Sequence, residues 1–292
     1  MPSYRCYNLY IESDYTLPFQ QEKGPVDVEI RRGTALSLEH FSPVTLGIWA
    51  DETRMALQVD GIATYVIENE KKLSIFTERT LDDLAVITFL VSAAIPYLLV
   101  RRGYTVLRGA TLTWDHQSAH GIVGASGSGK SSLVAKLIQE GATLLADQFL
   151  VFPHAEATVV PEYPSLKLWK NTLKVLHILE SETQPVRPEL AYFRWPSPRF
   201  LSKPLPLKTI SVLHGANNRV DSLALHPVKG VKKMTHLIPY QWGNPLQSVW
   251  KIFPQLPLVK IIQTMPIFDL DYTRSVHTIA EVAAVYQRHH HG

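Results

Sequence analysis

A single cysteine, Cys6, occurs in 292 residues. That excludes an intramolecular disulfide framework and leads us to expect a reducing, cytoplasmic setting. The opening stretch, MPSYRCYNLYIESD, lacks the basic start and apolar core of a secretion signal. No internal repeat is visible. No stripe of interleaved aromatic and basic residues appears either, so no nucleic-acid partner is expected. Long uncharged runs are scarce. The one exception is the 17 residues from Leu84 to Val100, followed by Arg101 and Arg102. A membrane-spanning helix needs about 20 residues. This run contains Thr88, Ser92 and Pro96 and continues directly into strand-like sequence, so we expect a buried core helix and no membrane partner. The terminal run His289–His291 carries no functional expectation.

What is present is an ordinary globular composition, 46% hydrophobic and 19% charged, sufficient for one large core or two smaller ones. Charge is unevenly spread. Residues 1–110 hold 11 Lys and Arg against 14 Asp and Glu; residues 151–260 hold 14 against 6, a balance of +8. The basic stretch suits an anionic partner or a solvated face equally well.

The first 80 residues read as short strands: RCYNLYIES, VDVEIRRG, LGIWAD, RMALQVDG, IATYVIEN and KLSIFTE, with Asp60-Gly61 as a hairpin turn. They hold no His/Cys cluster and no nucleophile–base pair. A helix is expected over Leu81–Arg102, introduced by Asp82 and Asp83. Next come the strand YTVLRGATLTW, the turn DHQSAH, the strand HGIVGA, a glycine-rich loop, the helix KSSLVAKLIQEG and one buried strand, TLLADQFLVF. From Pro153 onward SLKLWK, LKTISVL, VDSLALHPV and LVKIIQTM read as strands, and SVHTIAEVAAVYQRH as a terminal helix. Residues 183–206, with six prolines, read as an irregular excursion.

The chemistry concentrates in GASGSGKSS, residues 124–132. Strand, glycine loop, helix, strand is the context in which this spacing forms a phosphate-binding loop. The glycines at 124, 127 and 129 let backbone N–H groups turn inward into a concave nest for phosphate oxygens. The expected nucleotide-binding set is Gly124, Ala125, Ser126, Gly127, Ser128, Gly129, Lys130, Ser131 and Ser132. Lys130 would reach the β- and γ-phosphates, and Ser131 would ligate Mg²⁺. Asp147, ending the apolar run of Leu144, Leu145 and Ala146, is the expected partner acid. It would hold Mg²⁺ together with Ser131 or accept a proton. Glu162 is the nearest alternative acid.

GASGSGKSSLVAKLIQEGATLLAD resembles the core of the HPr kinase/phosphorylase family, whose fold is related to phosphoenolpyruvate carboxykinase. YRCYNLYIESDYTLPF, PVDVEIRRG and YPSLKLW further resemble a stand-alone branch of HPr-kinase-like proteins that accompanies ribosomally made peptides, lasso peptides among them. The resemblance covers residues 1 to about 170. It implies ATP or another nucleoside triphosphate with Mg²⁺, and a serine of a precursor peptide as acceptor. Two positions depart from the family. Arg108 stands where a histidine is usual, and Gln148 replaces the second acid of a pair. Arg108 could neutralise phosphate charge or serve as an ion-paired structural arginine.

The expectation is an α/β protein: a β-rich N-terminal module over 1–80 and an HPr-kinase-like P-loop domain with a mixed sheet over 81–292. Its expected function is phosphotransfer from an ATP-like donor to a peptide serine, with Asp147, Lys130 and Arg108 as catalytic residues. A catalytically weak nucleotide-binding module that recognises a peptide or partner enzyme, and a small-metabolite kinase, stay open, as does a homo-oligomer.

Overall fold

Alternation of apolar and polar residues, broken by Gly, Asp and Asn, produces a strand-rich chain in which helices cover sheets. A computed structural model describes residues 1–153, 156–186, 191–216, 223–252, 255–273 and 277–291. The architecture is α/β with mixed sheets. The chain divides into two compact units, Met1–Val106 with Trp242–Leu256, and Leu107–Gln241 with Pro257–Gly292.

The first unit is built on a nine-stranded sheet in the order Gln20–Gln21, Ser3–Cys6, Leu9–Ser13, Val28–Arg32, Lys72–Phe76, Ala63–Glu68, Arg54–Val59, Ile48–Ala50, Ser42–Thr45. RCYNLYIES is a hairpin rather than a single strand. Tyr7 and Asn8 both take positive φ, 53° and 61°, as a two-residue turn of matching twist requires. The Asp60-Gly61 hairpin forms as expected between Arg54–Val59 and Ala63–Glu68.

The apolar helix runs from Leu84 to Arg101. It starts later than expected because the Asp83 carboxylate accepts the N–H groups of Ala85 and Val86. Its middle, Leu90–Ala94, relaxes to a π turn ahead of Pro96, which has no N–H to offer. By length and a mean hydropathy of 2.0 it could cross a membrane. In this structure most of it is buried, and the Tyr65 hydroxyl donates to Val86 O at 2.8 Å. The division between units therefore lies elsewhere than the boundary expected at residue 80: this helix belongs with the N-terminal sheet. Trp242–Leu256 belongs there too, with Trp242 N–H donating to Val106 O and Arg101 lying over the Trp250 ring.

The second unit has an eight-stranded sheet whose main path is Thr143–Ala146, Thr105–Thr113, Ala119–Val123, Leu205–Ala216, Ile267–Thr273, Ala224–Val228. Ala119–Val123 runs parallel to Leu205–Ala216, which runs parallel to Ile267–Thr273. Side chains alternate across this sheet. Ile122, Leu213, Leu270 and Tyr272 pack with helices Lys130–Gln139 and Ile279–His291 on one face. Val123, Val212, Ile210 and Ile267 pack with Leu237, Leu258 and Ile261 on the other.

Several elements differ from the sequence reading. LVKIIQTM is helical as far as Thr264, in the helix Gln255–Thr264, and not a strand. Its β-branched residues suggest a strand, but Leu258, Ile261 and Ile262 are buried at helical spacing. The stretch 183–206 is not wholly irregular. Tyr192–Pro196 pairs with Ser165–Trp169 and with Gln184–Pro185 in a small antiparallel sheet. Pro188, Val220–Ser222 and Ser275–Val276 lie outside the described residues.

Strand Phe149–Phe152 lays Leu150 over two glycines. A Cβ at Gly109 would stand 2.6 Å from Leu150 Cδ1 and 2.5 Å from Ile122 O, and one at Gly121 would also meet Leu150. The strand that leads into the glycine loop and its antiparallel neighbour Thr105–Thr113 thus make room for this leucine. Leu150→Ala should destabilise the second unit by about 2–5 kcal/mol, because the rigid floor cannot collapse into the cavity. The check is a urea melt with the second unit's transition followed.

Candidate functional site

The strand Ala119–Val123 delivers the chain into the turn 124–129 at its carboxyl end, and helix Lys130–Gln139 begins immediately after it. Gly127 and Gly129 have φ of 76° and 92°, a region that side chains disfavour. At Gly129 a side chain would also collide with the Tyr272 hydroxyl, which donates to Ser128 O at 2.6 Å and pins the loop to the strand Ile267–Thr273. The helix has no side-chain cap at Gly129, so its first-turn N–H groups carry the positive end of the dipole unneutralised by a cap. Lys130 Nζ folds back over the loop and donates to Gly124 O and Ala125 O, both at 2.8 Å.

TLLADQFLVF is not one strand. It breaks at Asp147-Gln148 into Thr143–Ala146 and Phe149–Phe152. The cause is the buried Glu162, whose Oε2 accepts the backbone N–H of both Asp147 and Gln148 at 3.0 Å. With those donors taken from the ladder, Asp147 turns toward the loop helix. Ser131 Oγ donates to Asp147 Oδ1 at 3.1 Å, and Lys167 N–H donates to Oδ2 at 2.8 Å. Gln148 completes the cluster. Its amide donates to Glu162 Oε1 at 3.1 Å and to the Tyr163 hydroxyl at 2.7 Å, while its oxygen accepts from Lys167 Nζ at 2.9 Å.

Burial raises the Asp147 pKa, against the opposing pull of the Lys167 N–H, Ser131 and the two lysine charges. Burial, with help from the Arg108 charge and against the pull of Asp147, lowers Lys130 to about 8. Burial likewise lowers Lys167 to about 8, with Glu162 and Asp147 favouring its charge and Arg194 opposing it. Tyr192 is raised chiefly by burial and also by Asp147. Four cationic side chains thus crowd two carboxylates, Arg108 repelling Lys130 and Arg194 repelling Lys167, with Asp147 felt by both lysines. Such a surplus suits a polyanion.

No family model matches the chain, and no curated protein matches it. Among solved structures it is similar to the Hpr(Ser) kinase/phosphatase from Coxiella burnetii, at 11% identity over 63% of this chain and 95% of that one, with a TM-score of 0.29. A likeness at that score adds nothing to the geometry above, and the family resemblance continues to rest on the sequence motifs.

Lys130, Ser131 and Asp147 come together in the fold. Arg108 sits on the exposed side of Thr105–Thr113, close enough to Lys130 and Tyr192 to influence both. Ser132 faces elsewhere, 3.0 Å from the Thr172 hydroxyl. Ala125 and Ser126 are exposed at the loop's tip, and Ser128 is buried. The sequence reading did not single out Lys167, Tyr192, Arg194 or Tyr272. Lys167 did leave a signal, a charge inside the otherwise apolar SLKLW. The position of Gln148 is also explained. A second carboxylate there would face Glu162, whereas a neutral amide donates to it and accepts from Lys167. Gln148→Asp should therefore lower stability by about 1–3 kcal/mol, the scale of a buried acceptor left without its donor. An unchanged denaturation midpoint would remove the amide from this network.

Proposed function

We propose that the second unit binds a nucleoside triphosphate with Mg²⁺ on residues 124–131 and transfers its terminal phosphoryl group to a hydroxyl acceptor. The observation that carries this reading is the approach of Ser131 Oγ and Asp147 Oδ1 to 3.1 Å, directly beside a glycine loop and Lys130. The residues fit such a ligand. Among the described residues Ser128 Oγ is buried without a hydrogen-bond partner, and the hydroxyl of Ser131 and the carboxylate of Asp147 are the hard oxygen donors that Mg²⁺ takes. When bound, the metal–triphosphate would supply an electrophilic phosphoryl group and a diphosphate leaving group.

The chain's own residues would do the rest. Loop N–H groups and the Lys130 ammonium, which keeps a third N–H beyond its two loop bonds, orient and neutralise phosphate oxygens. Arg108 and Lys167 add positive charge. Asp147, its proton affinity raised by burial, accepts the proton of the attacking hydroxyl as the new O–P bond forms and the bond to the leaving diphosphate breaks. A serine hydroxyl of a peptide is our proposed acceptor. It rests on the sequence resemblance to proteins that accompany ribosomal peptides, and a cytoplasmic setting goes with it.

A second reading, a nucleotide-dependent binding module, is favoured by one observation. Gln148 is committed to Glu162, Tyr163 and Lys167 and adds no second carboxylate.

Lys130→Ala should abolish ATP binding by calorimetry while leaving the thermal melt in place. In the wild type, phosphate favours charged Lys130. Affinity should therefore fall as pH rises above about 8, by at most about tenfold per unit. Affinity that is flat from pH 7 to 10 would separate Lys130 from phosphate recognition.

Asp147→Asn should keep its affinity for nucleotide measured without Mg²⁺ and lose transfer by about 10²–10⁴-fold, the usual effect of removing a general base. The assay is phosphopeptide formation by mass after mixing protein, Mg²⁺, ATP and serine peptides. A wild type that binds ATP yet phosphorylates neither peptides nor pooled metabolites supports the binding module instead.

A further inference from the structure

On the sheet face opposite the loop helix, three side chains from three elements converge. Val212 pairs in register with Asp269 on the parallel strands Leu205–Ala216 and Ile267–Thr273, and His214, two residues on, shares that face. His236 comes from the helix Lys232–Leu237, whose Leu237 packs against Val212 and Ile267 in the core beneath. His214 Nε2 lies 2.8 Å from Asp269 Oδ1, and His236 Nδ1 lies 2.9 Å from the same oxygen. The imidazole rings stand nearly perpendicular, at 85°, with centroids 6.0 Å apart. One ligand atom from each residue falls within 4.8 Å of the others. All three side chains are partly open to solvent.

We infer that His214, His236 and Asp269 form a binding site for a divalent transition-metal ion of the zinc class. Two imidazole nitrogens and a carboxylate oxygen directed at one point are the donor set such ions take, unlike the all-oxygen set that Mg²⁺ prefers. Metal–ligand bonds of about 2.0–2.1 Å in tetrahedral geometry put ligand atoms about 3.3 Å apart. The two nitrogen–oxygen separations need to open by only about 0.5 Å, which these partly exposed side chains allow. The ion would replace the protons that the two imidazoles now direct at one oxygen. His226, directly opposite Asp269 in the antiparallel ladder and exposed, stands where a fourth ligand could swing in. This site shares no residue with the glycine loop and does not depend on the nucleotide reading. An ion there would tie the helix to the sheet.

The test uses the full chain after chelator treatment, with His289→Ala and His291→Ala so that the terminal histidines take no metal. Zn²⁺ is titrated by calorimetry, and Co²⁺ is added separately to read its visible ligand-field bands. We expect one equivalent bound, tetrahedral-type Co²⁺ bands and a higher melting temperature with Zn²⁺. Affinity should fall at least tenfold in His236→Gln and in Asp269→Asn, and stay unchanged in Lys130→Ala. His236→Gln is the decisive variant, since it alters a partly exposed side chain on a surface helix and spares the sheet. No stoichiometric binding in the His289/His291 background, or equal binding in His236→Gln, would overturn the inference.

Discussion

The arrangement of the second unit's polar centre depends on one buried carboxylate. Glu162 accepts the backbone N–H groups of Asp147 and Gln148 and the Gln148 amide, and so removes two residues from a strand that would otherwise run unbroken from Thr143 to Phe152. An uncompensated charge at this depth would be costly, and removing any one donor would expose that cost. Satisfying Glu162 therefore dictates much around it. Gln148 must be neutral to donate, Lys167 Nζ then finds its acceptor in the Gln148 oxygen, and Asp147 is left facing Ser131. The kink is the means by which a strand end becomes a site.

The sheet beneath supplies rigidity. Two glycines, Gly109 and Gly121, let Leu150 settle against the strand that leads into the loop and its neighbour Thr105–Thr113, and the Tyr272 hydroxyl fastens the loop to the strand Ile267–Thr273. Charged groups on such a frame cannot relax away from one another. Burial then drives the lysines down and the aspartate up in proton affinity, so the centre is poised to gain charge compensation from an anionic ligand. The same sheet carries the His214–His236–Asp269 cluster on its other face. One parallel core thereby presents two chemically different donor sets, one of hard oxygens and cations, the other of imidazoles with a carboxylate.

The sequence alone determined the parts whose code is local. Residues 124–132 carry their own turn conformations and are followed by helical spacing, so loop and helix were legible. Asp60-Gly61 marked its hairpin, and Asp147 stood out as the acid that ends an apolar run. Tertiary structure decided what depends on partners far along the chain. Val259, Ile261 and Ile262 read as strand until a core selected one face of a helix. The apolar helix joined the N-terminal unit, where the Tyr65 hydroxyl of the sheet bonds Val86 O, and nothing in its own run says so. Gln148 looked like a lost acid until Glu162, fourteen residues on, turned out to need its amide. His214, His236 and Asp269 lie too far apart in sequence to form a pattern. Only the register of two parallel strands, with a helix laid across them, brings their ring nitrogens to one oxygen, because side-chain chemistry at a distance is set by pairing and packing and not by spacing along the chain.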